Sequence, residues 1–329
     1  MIVSMTSSSS CSSNIQIKSS PIDEHVWNEE EDRKLYIRRV VPTYQGQKEI
    51  PEEIIPVLRQ FGFYWIMKMR YLKINAALIT ALIERWRSET HTFHMRCGEC
   101  TITLQDVSIF VGLCVDGAPL IGPTNLDWAD LCEELLGVKP QEGELQGSVV
   151  KLSWLANHFS QLNNYDGNIQ QLERFTRAWI LRFIGGVLFV DKRSSKVSLS
   201  MYAWRPAVLA FLYREMCNAT DYKTKSIGVF RRKLDIMKRH EFLWEPYIAT
   251  VMSALPPICL VGSVAWCAVV PLICFHVVEW HQPDRDLRQF EMQQPIPECP
   301  SQPFNIHGIT LKDKQDENWG QLFAPMISQ

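Results

Sequence analysis

The sequence predicts a mainly α fold of the α+β kind: a single large helical domain with a few short strands, including one hairpin near residues 91–103. Three observations carry this. Apolar residues recur at three- and four-residue spacing in seven or more segments, strand-like signals are confined to short runs, and 46% apolar against 21% charged residues in 329 gives material for a buried core.

Residues 1–44 are read as a disordered tail, Ser-rich and then acidic through Glu29, Glu30, Glu31 and Asp32, with too little apolar content to build a core. The domain is placed at 45–329. Pro51 suits a first helical turn, Glu52 and Glu53 favour its positive end, and Ile54, Ile55, Leu58 and Phe61 follow at helical spacing before Gly62. Asn75 is an N-cap candidate for a helix whose stripe is Leu78, Ile79, Leu82, Ile83 and Trp86. The hairpin is predicted from Thr92–Met95, a turn at Gly98 and a second strand at Thr101–Thr103. Thr103 and Asp106 have capping-box spacing, which starts a helix running to Gly112.

Further helices are predicted over Asp127–Leu136 with Gly137 closing it, Val149–Leu162, Ile169–Phe189, and from Pro206 through Ala219. The stretch from Pro246 to Val278 has no Asp, Glu, Lys or Arg, and Ile258–Val278 is long enough to span a membrane. Gly262, Ser263, Pro271 and His276 argue against a span, and PLICFHVVEW reads as a buried strand, so no membrane association is predicted.

With 34 Lys+Arg against 36 Asp+Glu, a basic nucleic-acid coat is excluded as the whole function. Met1–Ser20 lacks the basic start and apolar core of a signal peptide, so disulfides are not expected and most of the ten cysteines are read as small buried hydrophobes, among them Cys217, Cys267 and Cys274. The eleven tryptophans mostly sit in apolar helical stripes and are read as core rather than as base-stacking platforms.

The run LITALIERWRSETHTFHMRCGECTITLQDVSIFVGLCVDGAPLIG (Leu78–Gly122) resembles the signature of the plant mobile domain, the family also labelled aminotransferase-like. RAWILRFIGGVLFVDKRSSKV, AVLAFLYREMC, FLWEPY and PLICFHVVEWHQPDRDLRQF match the family further along, so the likeness covers roughly residues 45–325 as one domain. The resemblance implies a transposon-associated plant protein, nuclear and non-enzymatic, with a role in transposon silencing, genome integrity and meristem development. It also implies protein partners, including a plant phosphatase of the protein phosphatase seven type, and brings no catalytic residues and no cofactor. The sequence departs from the family in lacking a longer connection between Ser198 and Ala203 and a tryptophan-rich helical segment after Ile227, and in having Glu291 where a Gly is usual after QF. The domain is accordingly read as carrying internal deletions.

Three constellations bear on chemistry. His91, His94, Cys97 and Cys100 have metal-ligand atom types at spacings of three, but no second ligand pair from farther along the chain, and strand alternation separates His91 from His94; the bland reading is a hairpin with packed His and Cys, and no metal is predicted. Glu279, His281 and Asp284 crowd a strand end, where Arg285 and Arg288 lie within reach for ion pairing. Lys223–Arg239 holds seven Lys or Arg against the single acid Asp235. There Ile227, Phe230, Leu234 and Met237 are placed inward, and Arg231, Arg232, Lys233, Lys238 and Arg239 are the candidates for weak, sequence-blind nucleic-acid contact. Two alternatives remain open: a transposase-derived or metal-dependent enzyme, and a decayed mobile-element product without molecular function.

Overall fold

The computed structural model describes residues 50–68, 75–112, 126–162, 167–188, 196–198, 205–220, 228–274, 277–297 and 318–327. The tail at 1–44 and the junctions at 199–204 and 221–227 lie outside the described residues.

Pro51 opens the helical N-terminal stretch: a 3-10 turn (Glu52–Ile54) runs into α1 (Ile55–Gln60), burying Ile54 and Leu58. Gly62, with φ 82°, then reverses the chain into α2 (Phe63–Lys68), a helix the local spacing does not predict because Gly62 reads as an end. Asn75 caps α3 (Ala76–Ile83) by accepting from the amides of Ala77 and Leu78. That helix stops short of Trp86, which instead stands on β1 (Trp86–Arg87). Its register partner is Phe93 on β2 (Thr92–Met95), and the two rings meet edge to face at 4.9 Å.

The hairpin is completed by β3 (Gly98–Cys100), earlier than the expected Thr101–Thr103. The reason is competition for the same residues: Thr103 is taken up as N-cap of α4 (Leu104–Val111), closing the capping box with Asp106. In α5 (Trp128–Leu136), Asp127 caps the start and Gly137 the end, as the sequence predicts.

The segment expected as a helix from Val149 begins as a strand. β4 (Leu145–Gln146), β5 (Val149–Lys151) and β6 (Lys196–Ser198) form an antiparallel sheet, and α6 (Leu152–His158) starts only after it. The pairing of Val150 with Val197 is a long-range contact that overrides local helical periodicity. α7 (Ile169–Phe183) continues into a π-helical segment, Ile184–Leu188. A Cβ built on Gly185 would stand 2.5 Å from the Val197 side chain, so only glycine lets this segment approach β6.

α8 (Arg205–Thr220) lies against the hairpin of β7 (Val270–Cys274) and β8 (Val277–His281). The predicted single buried strand is thus two strands. α9 (Gly228–Ile236) packs on α3, and the short helices α10 (Ala249–Ser253) and α11 (Pro257–Leu260) follow. The last helix, α12 (Trp319–Ile327), buries Phe323 and Met326. Among the described residues, no helix is long and apolar enough to cross a membrane. One continuous apolar cluster links α1, the first hairpin, α8 and β7–β8, and it surrounds a group of polar side chains.

Candidate functional site

His91 precedes β2 in a left-handed conformation, φ 51°, which turns its ring inward. Its Nδ1 lies 2.9 Å from the Trp280 carbonyl oxygen, its Nε2 lies 2.9 Å from a Glu279 carboxylate oxygen, and its ring stacks on Tyr213 at 4.9 Å. The other Glu279 oxygen accepts from Arg214 Nε, and Arg214 Nη2 donates to Val278 O at 3.1 Å. All three ionisable groups are buried, so α8, β8 and the entry to β2 are joined by a desolvated chain of polar groups built on the Arg214–Glu279 ion pair. Such a chain is tolerable only because each member faces a partner.

A second layer surrounds the first. Tyr213 donates its hydroxyl to Ile102 O, and Gln289 holds the Thr101 amide and carbonyl at 3.2 and 3.3 Å, continuing the ladder where β3 ends. His281, fully buried, faces Ala268 O with Nδ1 at 3.2 Å and receives the Leu104 amide at Nε2, 3.4 Å away. A carbonyl can only accept, so Nδ1 carries the proton and the ring is neutral. Burial is the main cause pushing its pKa down to about 4. Asp286 is also fully buried; burial, reinforced by Glu99, pushes its carboxyl well above the usual range, and neither oxygen has a hydrogen-bond partner among the described residues. Nearby, Arg285 grips Glu99 with two hydrogen bonds of 2.8 and 2.9 Å, and Tyr247 donates to Asp106.

The predicted candidates fall in different places. His91 belongs to the polar centre, whereas His94 is partly exposed and stands 3.7 Å from Glu99. Cys97 and Cys100 are buried, and burial raises both thiols, which disfavours the free thiolate of a reactive nucleophile. Among the described residues no three His, Cys, Asp or Glu side chains form a metal-holding group. Glu279 and His281 are both buried on β8; Glu279 pairs with Arg214 and His91, and Arg285 pairs with Glu99. Sequence reasoning missed Tyr213, Arg214, Asp286 and Gln289. Arg214 left a signal, since with Glu215 it interrupts the apolar run AVLAFLY, but nothing local says which of the two charges turns inward.

The basic segment is also corrected. Leu234 is buried, but Arg231, placed outward by periodicity, turns to Glu84 with hydrogen bonds of 3.2 and 3.0 Å. Arg232, Lys233 and Lys238 are exposed, and the Arg239 side chain lies outside the described set. Asp235 on the same helix pairs with Arg85. Cys267 is exposed rather than buried, and among the tryptophans Trp65 is 51% exposed, contrary to the core reading.

Residues 62–230 and 220–326 match the plant mobile domain. The chain belongs to that family. The two matched pieces overlap at 220–230, and the polar centre draws on both, with His91 and Arg214 from the first and Glu279 and His281 from the second. Three curated Arabidopsis thaliana proteins are similar. Serine/threonine-protein phosphatase 7 long form homolog is 32% identical over 390 aligned positions, covering 93% of this chain and 29% of that protein. Protein MAINTENANCE OF MERISTEMS is 32% identical over 311 positions, covering 76% of this chain and 64% of the relative. Protein MAIN-LIKE 2 is 29% identical over 318 positions, covering 77% and 47%. The plant mobile domain chain therefore spans less than two thirds of the length of each of these three relatives. No solved structure matches it.

Proposed function

We propose that this plant mobile domain protein works without catalysis in the nucleus, serving transposon silencing, genome integrity and meristem development through contacts with other proteins. The observation that carries this reading is the occupation of the polar centre. The side chains best suited to acid, base or nucleophilic work are buried and turned on one another, His91 to Glu279, Glu279 to Arg214 and His281 to backbone, which is how a structural network is built. Two relatives support the biological setting: one is named for meristem maintenance and one as a phosphatase. In the second, the matched region is a minor part of a longer phosphatase-named chain, which supports a phosphatase of that type as a partner in trans.

The reading includes an internally shortened domain. The family match comes in two pieces meeting at 220–230, and the 311 positions matched to the meristem protein exceed what 76% of 329 residues can fill. Arg231 is engaged by Glu84, which leaves the exposed Arg232 and Lys233 on α9 and Lys238 just after it as the surface candidates for phosphate contact. The test is affinity purification of the tagged chain from plant nuclei. Recovery of a protein phosphatase seven-type enzyme in the nuclear fraction is the expected result; a chain confined to cytoplasm, with no such partner, would overturn the proposal.

A further inference from the structure

The outer face of α2 is made of rings and cations. The helix turns Phe63, Ile66 and Met67 into the core, where Phe63 meets Phe183 edge to face at 6.5 Å. On the opposite side, Tyr64 and Trp65 stand edge to face at 5.0 Å. The Arg59 guanidinium lies 4.7 Å from the Tyr64 ring centre, and Lys68 Nζ lies 5.8 Å from it. Trp65 is 51% exposed and Phe61, at the turn before α2, is 52% exposed. Among the described residues neither Arg59 nor Lys68 has an ion-pair partner. In sequence, four Lys or Arg and no acid lie between Glu53 and Glu84.

We propose that this face binds single-stranded nucleic acid, with Trp65 and Phe61 stacking on bases and Arg59 and Lys68 meeting phosphates. The surface lies apart from α9 and goes beyond the reading of the domain as a protein-contact module. Exposed flat rings offer a stacking surface only to unpaired bases, because duplex bases are already stacked, and adjacent cations supply the backbone attraction. A lipid surface fits less well: an interfacial helix inserts an aliphatic face, whereas Ile66 and Met67 of α2 are spent on the core and its exposed members are ring or cation. A protein partner would have to be anionic where it meets Arg59 and Lys68.

The experiment is fluorescence anisotropy on the full chain at low salt, with labelled oligothymidine and oligouridine of about 15 nucleotides and a duplex of equal length. Single strands should bind more tightly than duplex, and whichever of the two binds better identifies the natural class. Trp65→Ala and Phe61→Ala should each weaken binding by roughly 5- to 150-fold, the range of one lost stacking contact. An Arg59→Glu/Lys68→Glu double variant should abolish it, and because both positions are exposed, this variant tests the face even if Trp65→Ala disturbs folding. Arg232→Glu/Lys233→Glu on α9 should leave single-strand affinity within about twofold of the parent. The proposal is overturned if the parent does not bind, if duplex binds as well as single strands, if the double variant binds like the parent, or if the parent prefers phosphatidylserine vesicles.

Discussion

Two neighbouring regions invert the usual distribution of polarity. In the polar centre, Glu279, His281 and Asp286 are fully buried, while in the uncharged stretch that leads to them Val264 is 91% exposed and Ile248 and Val261 are about half exposed. The stretch itself is divided: Leu272, Ile273, Cys274 and Val278 are in the core, and Ile248, Val251, Leu260, Val261 and Val264 are outside. Hydropathy does not separate the two halves. The difference is what lies over them, since α8 covers β7 and β8, whereas α11 packs on α4 and the 3-10 turn Ser263–Cys267 on α4 and the 3-10 turn Pro283–Arg285, and neither packs under α8 to the same extent. Burial here is decided by long-range packing, and polar residues enter the core wherever partners from other elements meet them.

The largest expected effect comes from breaking the charge chain. Glu279→Ala leaves Arg214 and His91 facing each other without the carboxylate between them, and should cost about 3–5 kcal/mol. Urea unfolding followed by circular dichroism measures this. A loss below about 1 kcal/mol, typical of a surface pair, would mean that water already reaches the site.

The next effect is a pH dependence with a definite sign. His281 has a folded pKa of about 4 against an ordinary 6.5, so between those values the unfolded chain takes up a proton the native chain refuses. Stability contributed by the neutral ring is present above pH 6.5 and is lost as pH falls through 4, a change of about 3 kcal/mol. His281→Gln can still accept from the Leu104 amide and donate to Ala268, and should flatten the stability curve in this window. Asp286 works in the opposite direction: its raised pKa means stability present below the usual carboxyl value of 3.8 is lost as pH rises above it, so Asp286→Asn should stabilise the protein at neutral pH. Unfolding curves of both variants at several pH values check the two signs separately.

How much of this was legible depended on whether the cause was local. Asn75, Thr103 with Asp106, Asp127 and Gly137 act on their own helix ends, and each does in the structure what its spacing predicts. The strand at Val149, the position of Trp86 and the inward turn of Arg231 depend on Val197, Phe93 and Glu84, and no periodicity within a single segment contains them. The polar centre was half legible. Glu279 and His281 stood out as a cluster, but their partners Arg214 and Leu104 lie 65 and 177 residues away in the chain.

Glu291 gives a smaller test at the edge of the same centre. It occupies the left-handed region, φ 61°, where a non-glycine residue carries strain of roughly 1–2 kcal/mol. A glycine there, which the family resemblance leads one to expect, would adopt this conformation without that cost. Glu291→Gly relieves the strain but adds unfolded-state entropy, so a net gain of about 0.5–1 kcal/mol is expected in thermal unfolding. A loss of stability would mean that the Glu291 side chain makes a contact worth more than the strain.

The smallest effect is expected at Val264, and it tests the other half of the comparison. At 91% exposure its side chain has almost nothing to lose on becoming charged, so Val264→Lys should change stability by less than about 0.5 kcal/mol. Leu272, eight positions on in the same uncharged stretch, is buried under α8 and could not accept the same substitution. The measurement is a pair of melting curves, parent and variant, each recorded over a range of protein concentrations. Identical midpoints place Val264 at a free surface. A midpoint that drops in the variant, and does so more at high concentration, would instead show that the apolar face is covered by a second copy in solution, because only an intermolecular contact carries such a dependence.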